Sequence, residues 1–287
     1  MSKIEKALEK AINMRETKNA SVSEAATISD SQVTAHRFEV GDAIVDKALV
    51  DEHIVCLKDP VSSAAEQFKK LKAKILQETP KQDFFNTIMV TSSDVGEGKS
   101  ITAINLAIEL SNEIDHTVLL VDADLRNPSI HQYFGIEPEY GLSDYLTGKL
   151  NLSDILIKTG IGKLVILPAG KVAENAAELL SSEKMKMLVR ELKLRYNDRY
   201  VIFDSTPLLV TADPLLLGRY MDGIIFVIQE GRTSHKAALQ SISLMKGWNI
   251  LGVVFNNVPQ YLIRNHYHHY YQQKSNKGNG KDFSAKV

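Results

Sequence analysis

Short apolar runs alternate with segments of helical periodicity between residues 86 and 258. The runs are continuous stretches rich in Val, Ile and Leu, which is typical of strands covered on both faces. Strands are predicted over 86–92, 116–124, 163–170, 199–207, 223–231 and 250–258, and helices over 99–110, 176–196 and 234–246. This alternation predicts a doubly wound α/β fold, a mostly parallel sheet flanked by helices, in which ligands bind beyond the carboxyl ends of the strands.

The segments on either side of this core have other patterns. Amphipathic helices are predicted over 1–18 and 63–77, whereas residues 19–45 are rich in Ser, Ala, Thr and Asp without a period, as a linker would be. The tail holds four of the ten tyrosines, and its five Lys and Arg against one Asp give it a net charge of +4. We therefore predict an N-terminal helix and linker (1–45), an α/β domain (46–258), and a flexible tail rich in Tyr, His and Lys (259–287).

Composition narrows the class of protein. The net charge is 34 − 35 = −1, so bulk charge gives no reason to expect a nucleic-acid partner. The single cysteine, Cys56, excludes an intramolecular disulfide and is expected to be a small buried residue. No apolar run approaches the roughly 18 residues of a spanning helix, and the start lacks the apolar region of a secretory signal. These features predict a cytoplasmic protein that reaches a membrane only through a partner or a surface contact.

One glycine-rich segment stands between the first core strand and its helix. With the next helical residue, this candidate nucleotide-binding segment comprises Ser93, Asp94, Val95, Gly96, Glu97, Gly98, Lys99, Ser100 and Ile101. It is a P-loop pattern with serine in place of the first glycine. Its glycines let backbone N–H groups approach phosphate, and the helix that follows directs its positive end at the same anion. Lys99 is expected to reach the β- and γ-phosphates and Ser100 to bind Mg²⁺; a glycine-rich turn without a ligand is the plainer alternative.

Acidic residues end two further predicted strands. Asp122 and Asp124 are two positions apart and would repel each other unless a cation lies between them. The alternative is that they cap the next turn. Asp204 ends the apolar run Val201–Phe203, as a Walker B aspartate that holds Mg²⁺ directly or through water would. In this order, the three motifs together predict a site for ATP and Mg²⁺.

At these motifs the chain resembles the bacterial tyrosine kinases, autokinases that accompany capsular and exopolysaccharide export. The family has a Walker A motif, a second Walker A′ motif of the form DxDxR, and a Walker B motif; SSDVGEGKS, LLVDADLRNP and VIFDSTP match them in order. The resemblance implies that Asp122 accepts or orients the proton of the attacking tyrosine. It also implies that Arg126 steadies the acidic pair or the transferred phosphate, and that Asn256 of FNNV contacts adenine.

The resemblance extends beyond the nucleotide motifs. Glu66, Lys69 and Lys72 follow the spacing of the family's ExxRxxR helix, which joins subunits into a ring; lysine lacks the planar fork of arginine, so we expect a weaker contact. The tail resembles the cluster that the family autophosphorylates, and the candidate acceptors are Tyr261, Tyr267, Tyr270 and Tyr271.

The family also implies partners and a location. They are a separate membrane-anchored activator, the chain-length or co-polymerase protein of the export system, and a cognate tyrosine phosphatase. The kinase would then be peripheral at the inner face of the cell membrane. The opening MSKIEKALEKA suggests the branch associated with exosortase systems.

Two other functions fit the same fold. A positioning or partitioning ATPase of the deviant P-loop group needs a signature lysine five residues before Lys99, but Asp94 occupies that position. A scaffold without kinase activity, in which nucleotide only gates assembly, is disfavoured by the intact Lys99, Asp122 and Asp204.

Overall fold

The computed structural model describes residues 45–79, 85–195 and 198–259. The predicted helix over 1–18, most of the linker and the tyrosine-rich tail lie outside these ranges. Seven strands form the sheet: β1 (Thr87–Ser92), β2 (Thr117–Asp122), β3 (Ile157–Lys158), β4 (Leu164–Leu167), β5 (Arg199–Asp204), β6 (Gly223–Gln229) and β7 (Ile250–Asn256). Their order is β3-β4-β2-β5-β1-β6-β7, and all neighbours are parallel except β3 and β4. The predicted mostly parallel sheet is confirmed.

Helices connect the strands and cover the sheet. They are α1 (Val55–Lys58), α2 (Ser63–Glu78), α3 (Lys99–Ser111), α4 (Ile130–Tyr133), α5 (Leu142–Leu146), α6 (Ala176–Ser181), α7 (Glu183–Arg195), α8 (Asp213–Gly218) and α9 (His235–Leu244), with a 3₁₀ turn at Leu152–Ile155. No helix in the described ranges has the length and apolar character needed to cross a membrane.

Two hydrophobic cores lie on opposite faces of the sheet. In β1, Met89 belongs to one core and its neighbours Ile88 and Val90 to the other, because successive side chains of a strand point to opposite faces. All six residues of β1 are buried. This double burial explains why the strand sequences are continuous apolar runs rather than alternating ones. Cys56 in α1 is also buried, as predicted.

The structure differs from the predicted helices in two places. The helix predicted over 176–196 is two helices, because Ser182 is extended and its hydroxyl accepts a hydrogen bond from the Met185 N–H, which starts α7. The helix predicted over 234–246 is α9, but its apolar stripe is not buried against the sheet as expected of a flanking helix: Leu239, Ile242 and Leu244 are 54%, 42% and 41% exposed. In α9 only Ser241 is buried.

Candidate functional site

Three neighbouring strands bring the sequence motifs to one edge of the sheet. β5 lies between β2 and β1, so the ends of all three strands are adjacent. In the register of these parallel strands, Asp204 pairs with Asp122 on one side and with Val90 on the other. The P-loop follows β1 directly. The structure therefore places Lys99 beside both acidic motifs, as the sequence predicts.

The P-loop depends on its two glycines. Gly96 and Gly98 have φ angles of 72° and 94°, in the left-handed region that residues with a Cβ rarely adopt. A Cβ on Gly98 would also lie 1.9 Å from Nδ2 of Asn256. Gly98 is the N-cap of α3, a helix of 13 residues, so the loop amides and the helix end form an anion-binding site. Ile101 is half-buried in the first turn of that helix.

Lys99 lies among the acidic side chains. Its Nζ is 3.3 Å from Oδ2 of Asp124, 3.9 Å from Oδ1 of Asp204 and 3.1 Å from the Ser100 hydroxyl. Burial alone would lower the pKa of Lys99, but the carboxylates of Asp204 and Asp124 outweigh it and raise the pKa above its ordinary value. Lys99 is therefore a fixed positive charge at the helix end.

Asp122 and Asp204 are buried neighbours with different surroundings. The Asp122 carboxylate accepts hydrogen bonds from three backbone N–H groups, those of Asp124, Ser129 and Ile130. Burial, followed by the charge of Asp204, raises the pKa of Asp122 to about 8. Neither oxygen of Asp204 accepts a hydrogen bond from the described part of the chain. Burial raises the pKa of Asp204 as well, against the opposing effect of Lys99.

The oxygen atoms at this edge fit Mg²⁺. Mg²⁺ prefers oxygen ligands and is usually held by one or two carboxylates together with substrate phosphates and water. The Ser100 hydroxyl and the carboxylates of Asp124 and Asp204 surround Lys99. Neither buried oxygen of Asp204 has a hydrogen-bond partner in the described ranges. Within those ranges, no group of three or more His, Cys, Asp or Glu could hold a metal ion by itself. The donor set is thus suited to a metal that arrives with a nucleotide.

Arg126 of the DxDxR motif pairs with Asp213 and not with the acidic pair that the family resemblance implied. Its guanidinium donates two hydrogen bonds to Asp213, at 2.7 Å and 3.0 Å, and Asp213 is only 1% exposed. This pairing raises the pKa of Arg126. The hydrogen bonds of Arg126 thus join the Walker A′ loop to the start of α8 rather than to the acidic pair. Asp213 belongs to none of the three nucleotide motifs, so nothing in the sequence marked it as a site residue.

Side chains from β7, from α9 and from the turn between β6 and α9 hold the P-loop. Asn256 Nδ2 donates to the Glu97 carbonyl at 3.0 Å, and the Ser241 hydroxyl donates to the Ser93 hydroxyl at 2.9 Å. Thr233 bonds to the Glu97 carboxylate. Of these partners, sequence analysis identified only Asn256, and the structure places it against the loop.

Comparisons with known proteins agree on a family. A family model described as "AAA domain" matches residues 85–243. The tyrosine-protein kinase YwqD of Bacillus subtilis is 33% identical over 230 residues, which cover 79% of this chain and 94% of YwqD. The kinase domain of the Escherichia coli tyrosine kinase ETK has 29% identity and a TM-score of 0.67, covering 71% of this chain and 80% of that one. The chimerical protein CapA2B2 has 27% identity and a TM-score of 0.67, covering 77% and 96%.

The chain belongs to the bacterial tyrosine kinase family. The resemblance seen at the three nucleotide motifs is confirmed, and so is the predicted P-loop NTPase fold. The Walker motifs of this kinase meet at the edge where such folds bind nucleotides. The four candidate acceptor tyrosines lie outside the described residues.

The helix expected to join subunits makes its ion pairs within the chain. Lys69 lies 3.3 Å from Glu66 on α2 itself, and both side chains are about 40% exposed. The Lys72 ammonium lies 2.8 Å from the Glu113 carboxylate and 3.6 Å from the Glu109 carboxylate, and its side chain is 18% exposed. Glu109 belongs to α3, and Glu113 follows the end of that helix. In this kinase Lys72 therefore ties α2 to the helix that follows the P-loop.

Proposed function

We propose that this kinase transfers the γ-phosphoryl group of ATP to the tyrosines of its own C-terminal tail, and that this autophosphorylation regulates exopolysaccharide polymerisation and export. The observation that carries the proposal is the position of Lys99, the first residue of α3, whose Nζ lies within 4 Å of carboxylate oxygens of Asp124 and Asp204. The tyrosine-rich tail supplies acceptors in the same chain. Relatives named as tyrosine-protein kinases, of which this chain covers 94% and 87%, support the same reaction.

Phosphoryl transfer needs positioning and charge neutralisation more than covalent chemistry from the protein. Lys99 and the P-loop amides would hold the β- and γ-phosphates. Ser100 and Asp204 would hold Mg²⁺, with Asp124 acting through water. When bound, Mg²⁺ would neutralise negative charge on the phosphates.

The remaining polar residues position the reacting groups. A tyrosine hydroxyl has a pKa of about 10, so its proton must pass to an acceptor or leave as negative charge develops. Three backbone N–H groups already donate to the Asp122 carboxylate. These bonds favour a role for Asp122 in orienting the attacking tyrosine over direct abstraction of its proton. Its bonds fix the backbone of Asp124 and of residues 129–130, next to the Ser100 hydroxyl. Arg126 would secure the same loop through Asp213.

Family membership also supports a set of partners. We infer a membrane-anchored activator of the chain-length or co-polymerase type, a cognate tyrosine phosphatase and a homo-oligomer. Such partners would hold the kinase at the inner face of the membrane. Glu66 and Lys69 on α2, whose side chains are about 40% exposed, would be within reach of a neighbouring subunit.

Tail mapping by mass spectrometry tests the proposed reaction. After incubation with ATP and Mg²⁺, we expect phosphate on Tyr261, Tyr267, Tyr270 or Tyr271, and none in Lys99→Met. Lys186→Met removes an exposed lysine that pairs with Glu183 on α7, and this control should be phosphorylated like the unmodified chain. Unmodified tyrosines in the native chain, or equal phosphorylation of Lys99→Met, would contradict the proposal.

A further inference from the structure

A buried carboxylate lies within the phosphate-binding loop itself. Glu97 lies between Gly96 and Gly98 of the P-loop, where a negative charge would oppose a polyphosphate. The structure resolves the conflict, because Glu97 is only 1% exposed. One carboxylate oxygen accepts the Asp94 N–H at 3.0 Å, across the base of the loop. The charge is thus used to hold the loop backbone.

The other carboxylate oxygen binds a residue far along the chain. It accepts a hydrogen bond from the Thr233 hydroxyl, in the turn between β6 and α9, 136 positions away in the sequence. The same hydroxyl accepts the Gln229 N–H at 2.8 Å, so Thr233 is fixed by its own turn. Arg232, the preceding residue, donates from Nη1 to the Gly96 carbonyl at 3.4 Å. The turn therefore holds two consecutive residues of the loop.

We propose that Glu97 and Thr233 are a positioning pair for the nucleotide: the hydrogen bond between their side chains holds the P-loop in its phosphate-binding conformation. The inference rests on the proposed nucleotide function of this site. Gly96 and Gly98, on either side of Glu97, have positive φ angles. Because glycine adopts many backbone conformations, these two residues do not fix the shape of the loop by themselves. The Glu97 bonds to Asp94 and Thr233 supply that constraint. Thr233 thereby links the β6–α9 turn to nucleotide affinity.

Replacement of Thr233 tests the pair. Thr233→Val keeps the shape of the side chain, removes the hydroxyl and leaves the Glu97 carboxylate unpaired on one side. We expect the Kd for a fluorescent ADP analogue to rise about tenfold, and the KM for ATP to rise similarly while kcat changes less than about threefold. Thr233→Ser restores the hydroxyl and should bind within about twofold of the unmodified chain.

A matched threonine separates positioning from general loss of stability. Thr117 is also half-buried, bonds through its hydroxyl to Arg199, and begins β2 at the opposite end of the sheet. Thr117→Val should lower the melting temperature comparably to Thr233→Val but leave the Kd within about twofold. The double variant Glu97→Ala with Thr233→Val should bind no more weakly than Glu97→Ala alone, because the two residues act as one unit.

The results distinguish this inference from the proposed function. Unchanged nucleotide binding in Thr233→Val, equal weakening in Thr117→Val, or additive losses in the double variant would each overturn the positioning pair. Failure of the unmodified chain to bind any nucleotide would instead overturn the proposed function.

Discussion

At the residue scale, the site is built on two aspartates that would repel each other in isolation. Asp122 and Asp204 lie side by side in the register of β2 and β5, and both are fully buried. Their environments differ because Asp122 is bonded by backbone amides while Asp204 faces Lys99. Asp122 is therefore a structural centre of the Walker A′ loop, and Asp204 is the carboxylate left available to a cation.

Asp122→Asn tests this division of roles. Asparagine offers one accepting oxygen where the carboxylate uses two, so at least one buried N–H loses its partner. Relief of the repulsion with Asp204 offsets part of the cost. We expect the free energy of unfolding to fall by about 1–2 kcal/mol, together with loss of phosphorylation. Urea denaturation measures the first effect.

A second capping aspartate serves as the control. Asp154 is exposed, and its carboxylate also accepts a backbone N–H, that of Asn151. Asp154→Asn should change the free energy of unfolding by less than about 0.5 kcal/mol and leave activity intact. If Asp122→Asn were as mild as Asp154→Asn, the structural role of Asp122 would be wrong.

At the scale of the elements, sequence patterns located most of the parts that matter. Continuous apolar runs identified six of the seven strands, and the short antiparallel β3 was missed because two residues carry no pattern. The motifs fixed the places of Lys99, Asp122 and Asp204, since parallel strands end at one edge of the sheet.

Other parts could not be found from local patterns. Asp213 and Thr233 contact the motifs across 87 and 136 positions, and nothing near them in the sequence marks such contacts. The break at Ser182 had a local signal, a serine followed at once by acidic Glu183, but the surrounding helical periodicity hid it. The apolar residues of α9 follow an amphipathic pattern. Tertiary packing decides whether such a stripe is buried against the sheet, and the local sequence does not show it.

The ion pairs of α2 predict different effects for its two lysines. Lys72→Met removes the partner of Glu109, which is 5% exposed, and should lower the free energy of unfolding by about 1–3 kcal/mol. Lys69→Met disrupts a partly exposed pair within α2 and should lower the free energy of unfolding by less than about 1 kcal/mol. Denaturant unfolding of the two variants checks the difference. Equal losses would mean that Lys72 does not stabilise the α2–α3 contact.

At the scale of the whole molecule, the proposed autophosphorylation of the tail would link activity to assembly. Each phosphate adds about −1.5 to −2 charges, so three of them on Tyr267, Tyr270 and Tyr271 would turn the tail from basic to acidic. We expect this change in charge to reverse the preference of the tail for acidic neighbours. We expect phosphorylation to loosen a homo-oligomer of the kinase.

Light scattering on separated phosphorylated and dephosphorylated protein measures the effect on assembly. The phosphorylated form should have the lower mean mass. A variant with Phe at positions 261, 267, 270 and 271 should keep its mass after incubation with ATP. Identical masses for the two forms of the native chain would defeat the idea that phosphorylation loosens assembly.

The central claim is that the cluster of Lys99, Asp124 and Asp204 moves phosphate onto tyrosine. Incubation with γ-labelled ATP and Mg²⁺, followed by separation of protein-bound label from released phosphate, tests it most directly. We predict label on phosphotyrosine in the native chain and none in Asp204→Asn. Release of inorganic phosphate without labelled tyrosine, or undiminished labelling of Asp204→Asn, would contradict the account.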